Sequence, residues 1–413
     1  QAIGQRAQSA LAAGRPARRQ LAHQARRAAS TSVYTWGAGD DGQLGHPTIE
    51  KSGFTQKYSE LAPRVVAGLE QQDVADIACG FKHSAAATED GRVLTWGKME
   101  ETLLGHAGSG NTSFCLQPMH VSEGLQGVKV KAVSCGEKHT GALAADGSLF
   151  TWGAGGGFLA GATALGLGDN ESRTRPEQVK FGGSDSVKLS KISSGRAHML
   201  GLGVDGELWS WGSGELGRLG NGTNMDQSEP FPVDFFLDTE ERVVDIACGS
   251  SFSLALTASG QVYGWGKNDQ SQLGLGGGIA MDMYAMESVP RLIETLTDVV
   301  KIAAGGSQSL AIDKKGRVFA WGNRLWIEPH EMTALSTANI VDIACGNGFS
   351  MALSDAGEIY TWGKDTFMRY SGVLGHGDTS RHAQPTTIAS LSGTAIKKIA
   401  AGNRHAAALT GLP

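Results

Sequence analysis

The most regular feature of the hydrophobic pattern is a short apolar segment that ends in Trp-Gly, as in VYTWG at 33–37 and VLTWG at 93–97. The segment occurs seven times, and its tryptophans are Trp36, Trp96, Trp152, Trp211, Trp265, Trp321 and Trp362. Short runs rich in β-branched and aromatic residues and bounded by glycine predict β-strands.

A second segment, a glycine followed by small and apolar residues, also occurs seven times, as in CGFKHSAAAT at 79–88. Its glycines are Gly80, Gly136, Gly195, Gly249, Gly305, Gly346 and Gly402. Each of the first six precedes the next Trp-Gly tryptophan by 16 residues. A turn such as Asp90-Gly91 lies between the two segments and suits a hairpin that needs positive φ. Each unit is therefore predicted to be a β-hairpin.

The other half of each repeat is less regular. Most repeats contain a Gly-x-Leu-Gly-like element, such as GQLGH at 42–46, and then a proline-containing strand such as PRVVAGL at 63–69. Four short strands in a repeat of about 50 residues are typical of a propeller blade. The sixth repeat departs from this pattern, because only 25 residues separate Trp321 from Gly346 and the element is absent. We expect a shortened outer half and an altered rim in that blade.

The two ends of the repeat array complement each other. The segment at 33–37 has no preceding hairpin partner, and the segment at 401–410 has no following one. Pairing these two segments would close a ring and remove free sheet edges. The predicted fold is an all-β, seven-bladed β-propeller over residues 33–413, closed by its amino- and carboxy-terminal strands.

Composition agrees with many short strands and tight turns. The chain has 59 glycines among 413 residues, and 40% of its residues are hydrophobic. No stretch approaches 18 consecutive apolar residues, so no transmembrane segment is predicted. Five cysteines occur without a Cys-x-x-Cys pair. We interpret them as small core residues rather than metal ligands, and expect neither a metal nor a cofactor.

The charge is concentrated at the amino terminus. Residues 1–32 contain six of the 36 basic residues and none of the 41 acidic ones. An arginine- and alanine-rich segment without acids is typical of a mitochondrial or, alternatively, a plastid transit peptide. A flexible basic tail and an arm that docks on organellar RNA or an acidic partner are the other interpretations. The acidic remainder argues against a broad basic face for nucleic acid.

The segments WGAGDDGQLGH at 36–46 and CGFKHSAAATEDGRVLTWG at 79–97 resemble the repeats of the regulator of chromosome condensation family. The resemblance covers 33–413 and implies a seven-bladed propeller closed by mixed terminal strands. The family includes a nuclear guanine-nucleotide exchange factor, a plant ultraviolet-B photoreceptor and mitochondrial members. The photoreceptor's Gly-Trp-Arg-His-Thr motif is absent, since Phe81 and Glu137 stand where tryptophan is required. The mitochondrial members are the most similar in organisation.

Several motifs suggest chemistry at first sight. Residues 37–42 match G-x-G-x-x-G, but a dinucleotide site also needs a following helix within a βαβ unit. The repeated histidines His83, His139, His198 and His405 have Phe252, Gln308 or Phe349 at equivalent places, which indicates packing and hydrogen bonds between blades. We therefore expect no catalytic residue and no enzyme activity.

Features that break the repeat are the better candidates for partner contacts. The predicted contact residues are Met281, Met283, Tyr284 and Met286 in one loop, Phe235 and Phe236 in another, Trp326 in the sixth repeat, and Arg18, Arg19, Arg26 and Arg27 in the arm. The leading hypothesis is a non-catalytic interaction scaffold, a subunit or assembly factor of a large mitochondrial complex. The alternatives are guanine-nucleotide exchange on a small GTPase, and organellar RNA binding or ribosome assembly through residues 1–32.

Overall fold

A computed structural model describes residues 31–47, 58–99, 102–106, 113–156, 164–183, 186–239, 241–276, 285–363 and 371–411. Over these residues the chain forms the following strands in order: β1 Val33–Ala38, β2 Ser59–Val65, β3 Val74–Cys79, β4 His83–Thr88, β5 Val93–Lys98, β6 Phe114–His120, β7 Val130–Cys135, β8 His139–Ala144, β9 Leu149–Gly153, β10 Arg173–Gln178, β11 Leu189–Ser194, β12 His198–Gly203, β13 Leu208–Gly212, β14 Gln227–Pro232, β15 Val243–Cys248, β16 Phe252–Thr257, β17 Val262–Lys267, β18 Met286–Leu292, β19 Val299–Ala304, β20 Gln308–Asp313, β21 Val318–Gly322, β22 Trp326–Glu331, β23 Ile340–Cys345, β24 Phe349–Ser354, β25 Ile359–Gly363, β26 His382–Thr387, β27 Ile396–Ala401 and β28 His405–Thr410. Single turns of 3-10 helix occur at Glu215–Gly217, Asp234–Phe236, Thr333–Leu335 and Ala389–Leu391.

The strands form seven antiparallel four-stranded sheets, which are the blades of a β-propeller. Blade 1 consists of β27, β28, β1 and β2, and each later blade takes the next four strands, from β3–β6 in blade 2 to β23–β26 in blade 7. The first strand of each blade lines the central channel, where Cys79, Cys135 and Cys248 lie. The outermost strands are the most exposed, as the pattern of β10 and β26 shows.

Blade 1 closes the ring as the sequence predicts. β1 pairs with β28, with Val33 opposite Leu409 and Trp36 opposite Ala406. Residues just before β1 also contact the blades. The buried Thr31 hydroxyl accepts a 2.7 Å hydrogen bond from the backbone N–H of Val74. Thr31 and Ser32, which the sequence analysis assigned to the arm, therefore contact the propeller.

The core lies between neighbouring blades. Each Trp-Gly tryptophan is at most 4% exposed and belongs to a buried cluster that includes residues of the preceding blade. Trp96, for example, belongs to a buried cluster with Val66, Val74 and Ile77. Because a buried tryptophan removes 150–250 Å² from water, these seven side chains supply much of the adhesion between blades.

Blade 6 differs from the prediction in one respect. Its outer strand β22 is present with six residues and pairs antiparallel with β21. The shortening is confined to the connection between these strands, where Asn323 and Arg324 turn the chain with φ of 54° and 55°. A fourth strand is retained because a tight turn can replace the longer connection without changing the ladder.

Candidate interaction surfaces

The Gly-x-Leu-Gly element joins neighbouring blades. The indole N–H of Trp96 donates a 2.9 Å hydrogen bond to the backbone carbonyl of Gln43, which precedes Leu44 and Gly45 of blade 1. The same bond, at 2.9–3.0 Å, joins Trp36 to Val373, Trp152 to Leu103, Trp211 to Ala164, Trp265 to Arg218 and Trp321 to Gln272. The glycine is needed because Gly45 has a φ of 74° and a Cβ atom there would lie 2.9 Å from Trp96 Nε1.

At four of these junctions the carbonyl oxygen accepts a second hydrogen bond from a hydroxyl. Ser84 donates to Gln43, Thr140 to Leu103, Ser253 to Arg218 and Ser309 to Gln272, all at 2.8–2.9 Å. Each carbonyl thus fills both of its acceptor positions with donors of the next blade. We call this set, the indole N–H, the hydroxyl and the carbonyl that they share, the recognition unit.

The repeated histidines connect blades, as the sequence predicts. His83, His198 and His405 each place Nε2 within 2.8–3.0 Å of a hydroxyl of the following blade, on Thr140, Ser253 and Ser84. Burial lowers the pKa of His83 to about 4 and of His405 to about 3. These imidazoles are therefore neutral at pH 7 and act as structural hydrogen-bonding groups.

The glycine of the second segment lies at one end of the channel. A Cβ atom at Gly80 would lie 2.8 Å from the carbonyl oxygen of Gly136 in the next blade. That carbonyl accepts a 3.1 Å hydrogen bond from the backbone N–H of Phe81. Contacts of this kind recur around the channel, so glycine permits the close approach of neighbouring blades.

Ion pairs between first strands were not found by sequence reasoning. The third residue of these strands is, from blade 1 to blade 7, Lys398, Asp76, Ala132, Lys191, Asp245, Lys301 and Asp342. The structure pairs Lys398 with Asp76, Lys191 with Asp245 and Lys301 with Asp342. An odd number of blades leaves one position without a pair, and the neutral Ala132 occupies it. The alternation of charge at one strand position was the available signal.

The cysteines are free thiols packed between strands. Burial raises the pKa of Cys79 and of Cys248 to about 12, so both remain protonated. Across the described ranges, no group of three or more His, Cys, Asp or Glu side chains could hold a metal ion.

The predicted contact residues fall in different environments. Met281, Met283 and Tyr284 lie outside the described residues, as do Arg18, Arg19, Arg26 and Arg27. Met286 begins β18 and is 37% exposed. Phe236 is buried and packs edge-on against Tyr263, so it is a core residue rather than a surface contact. Phe235 is half-buried in the same aromatic cluster.

Trp326 is half-buried at the start of β22. Its ring stacks on His330 with centroids 5.0 Å apart. It also packs against the buried clusters on either side of blade 6. Trp326 therefore fills part of the space beside the shortened connection and keeps one side accessible.

Exposed apolar side chains near Met286 were missed by sequence reasoning. Val289 on the same strand is 40% exposed, and Met225 on the neighbouring loop of blade 4 is 69% exposed. This loop meets β18 through a 2.9 Å hydrogen bond from Gly222 N–H to the Ser288 carbonyl. We call Met225, Met286 and Val289 the blade 4–5 rim. The alternation of polar and apolar residues along β18 does not indicate that this strand lies beside the blade 4 loop, so the sequence alone could not identify this surface.

The geometry defines a β-propeller built from sequence repeats, whose neighbouring blades are joined by the same hydrogen bonds. A profile of the RCC1-like domain matches residues 32–327, and profiles of the regulator of chromosome condensation (RCC1) repeat match 356–409 and 340–367. The chain belongs to the RCC1 family of β-propellers. In the part of the chain that the structure describes, no helix is both long and apolar enough to cross a membrane.

Relatives cover most of this chain. The RCC1 domain-containing protein RUG3, mitochondrial, of Arabidopsis thaliana is 34% identical over 70% of the chain, and the ultraviolet-B receptor UVR8 of the same plant is 31% identical over 70%. The chain spans about three fifths of the length of each of these two relatives. The mouse E3 ubiquitin-protein ligase HERC2 is 31% identical over 92% of this chain, which corresponds to 6% of HERC2.

Solved structures share the fold. Human WBSCR16 superposes with a TM-score of 0.78 at 23% identity, over 92% of this chain and 99% of its own. Prp20p of Saccharomyces cerevisiae, studied for its binding to Gsp1p and histones, has a TM-score of 0.80 at 20% identity, over 93% and 92%.

Proposed function

We propose that the protein is a non-catalytic interaction scaffold, a subunit or assembly factor of a large mitochondrial complex. The observation that carries the proposal is the exposure of the three apolar side chains of the blade 4–5 rim. Large exposed apolar side chains grouped on a rigid surface favour protein contacts. Similarity to RUG3, which is mitochondrial, supports the compartment.

The polar groups of the described residues support a binding role over catalysis. The repeated histidines face hydroxyls of the next blade rather than an orienting carboxylate. Nucleophilic catalysis requires a nucleophile, a base and an orienting group in contact. The buried thiols and imidazoles are neutral at pH 7 because burial raises the pKa of the thiols and lowers that of the imidazoles. The imidazoles of His83 and His405 contact hydroxyls of the next blade.

The proposal is tested by size fractionation of a mitochondrial extract that contains the tagged full chain. We expect the protein to migrate in an assembly much larger than its own 43.1 kDa. The double variant Met286→Asp and Val289→Asp should shift it towards the monomer. Val204→Asp is the matched control, because Val204 is 58% exposed at the β12–β13 turn, outside the rim.

Two outcomes would overturn the scaffold role. One is migration as a monomer in the wild-type extract. The other is nucleotide-dependent capture of a small GTPase, with tight binding of the nucleotide-free form only, which would indicate an exchange factor. An affinity for RNA that falls steeply with salt, and that is lost on deletion of residues 1–32, would instead indicate RNA binding through the arm.

A further inference from the structure

The junction between blades 6 and 7 lacks the segment that fills its counterparts. Blade 6 has no Gly-x-Leu-Gly element, because a tight turn connects β21 to β22. At the other six junctions the backbone carbonyl that precedes a Leu-Gly pair accepts a hydrogen bond from the tryptophan of the next blade. The leucine shares a buried cluster with that tryptophan at two of them, Leu273 with Trp321 and Leu374 with Trp36. At this junction Trp362 is 4% exposed, and no described residue provides an acceptor for its indole N–H.

A cavity of about 140 Å³ occupies this position. Its walls include the following side chains: Gln308, Trp321, Trp326, Ser350, Trp362 and Arg381. Three tryptophans provide the apolar surface. A cavity of about 150 Å³ in an apolar environment can hold a benzene-sized group. The volume therefore suits one leucine-sized side chain.

The polar groups of the wall retain the donors of the filled junctions. Ser350 occupies the place of Ser84, whose hydroxyl donates to the Gln43 carbonyl. Ser350 Oγ accepts a 3.1 Å hydrogen bond from Gln308 Nε2, which leaves its own hydrogen for another acceptor. Trp362 occupies the place of Trp96. Both donors of the recognition unit are thus present without the carbonyl that they share elsewhere.

Gln308 belongs to the same wall, and its Nε2 donates hydrogen bonds to the Phe349 carbonyl and to Ser350 Oγ. The cavity therefore offers donors for a backbone carbonyl together with an apolar surface. Arg381 adds a positive charge at its exposed rim.

We propose that this cavity binds a leucine-bearing tight turn of a partner protein, whose backbone carbonyl accepts hydrogen bonds from Ser350 and Trp362. The six filled junctions define this occupant, since each holds such a turn against the same pair of positions. The exposed Arg381 favours an acidic residue beside the leucine. The proposal rests on the scaffold role and identifies the chemistry of one partner contact.

The test uses the full chain labelled with ¹⁵N at tryptophan, which has nine indole N–H groups. The probe is a capped peptide that copies residues 268–276, NDQSQLGLG, and the control peptide carries aspartate in place of its first leucine. The Trp362 signal is assigned with Trp362→Phe. We expect this signal to move downfield with the probe at about 1 mM and to be unchanged by the control peptide.

Variants locate the contact. Ser350→Ala should lower the affinity for the probe peptide at least about threefold, because one of the two hydrogen bonds to its carbonyl is lost. Ser253→Ala is the matched control, since its carbonyl partner Arg218 belongs to a filled junction. An unmoved Trp362 signal, or equal binding of both peptides, would overturn the proposal. A Trp362 indole that is already hydrogen-bonded in the free protein would also overturn it, because this chain would then fill the cavity itself.

The two proposals can fail separately. If the peptide binds but the protein migrates as a monomer, the cavity is a peptide site and the scaffold role is wrong. If the protein migrates in an assembly and the peptide does not bind, the scaffold role stands and the cavity proposal is wrong.

Discussion

The indole N–H of Trp36 donates a 2.9 Å hydrogen bond to the backbone carbonyl of Val373, 337 residues further along the chain. Trp36 lies on the amino-terminal strand β1 of blade 1 and Val373 in blade 7, so this bond adds to the β1–β28 pairing that closes the ring. The same contact joins five other pairs of neighbouring blades and is missing between blades 6 and 7. The junctions can therefore be compared within one molecule.

The first prediction compares two tryptophans. Trp96→Phe removes the hydrogen bond to the Gln43 carbonyl, whereas Trp362→Phe removes a donor that has no described acceptor. Both variants lose similar ring volume. We expect Trp96→Phe to lower the free energy of unfolding by about 1 kcal/mol more than Trp362→Phe does. Urea denaturation of both variants measures the difference, and equal losses would contradict it.

The second prediction concerns the close approach of blades at the channel. In Gly80→Ala the new methyl group would lie 2.8 Å from the Gly136 carbonyl and 2.8 Å from the His83 ring. The blades must separate to admit it, so we expect a loss of about 2 kcal/mol or more. Gly411→Ala is the control, because its nearest contact is 3.7 Å away. Calorimetric melting temperatures should separate the two, and similar temperatures would refute the steric argument.

The third prediction concerns the ion pair between Lys398 and Asp76. The Asp76 side chain is 7% exposed and also accepts a 2.8 Å hydrogen bond from the Val133 N–H. Lys398→Met would leave this carboxylate without its cation. Because Lys398 is itself 40% exposed, water screens part of the loss, and we expect about 1–2 kcal/mol. Lys397→Met changes an exposed neighbour and should cost almost nothing. Equal effects in chemical denaturation would exclude a structural role for the pair.

The fourth prediction concerns acid stability. Burial lowers the pKa of His139 to about 3, below its ordinary value of 6.5. The unfolded chain therefore binds a proton at this residue that the folded chain does not, and stability falls as the pH drops from about 6.5 towards about 3. His139→Phe uses the residue type found at Phe252 and Phe349 and removes this titration.

The pH dependence of unfolding measures the effect. We expect the loss of unfolding free energy between pH 7 and pH 5 to be about 2 kcal/mol smaller in His139→Phe than in wild type, since one proton contributes about 1.4 kcal/mol per pH unit below pH 6.5. An unchanged loss would show that His139 is not buried in its neutral form.

Local pattern was sufficient for the hairpins and the closed ring. The constant spacing from Gly80 to Trp96 reflects two strands and a turn that contact each other within one stretch of chain. The unmatched halves at Val33 and His405 implied closure because a lone strand edge is unfavourable. Even the missing element of blade 6 was visible as a short interval after Trp321.

The sequence by itself therefore determined the strands, the number of blades and their closure, because alternation and turn residues act over short distances. Only the tertiary structure decided that Lys398 meets Asp76, that Phe236 is buried, that blade 6 keeps its fourth strand, and that a cavity separates Trp321 from Trp362. These relationships depend on which faces of neighbouring blades meet when the ring closes. The packing volumes, the shared carbonyls and the paired charges are then satisfied between segments far apart in the chain, and the pattern within any one strand does not record these contacts.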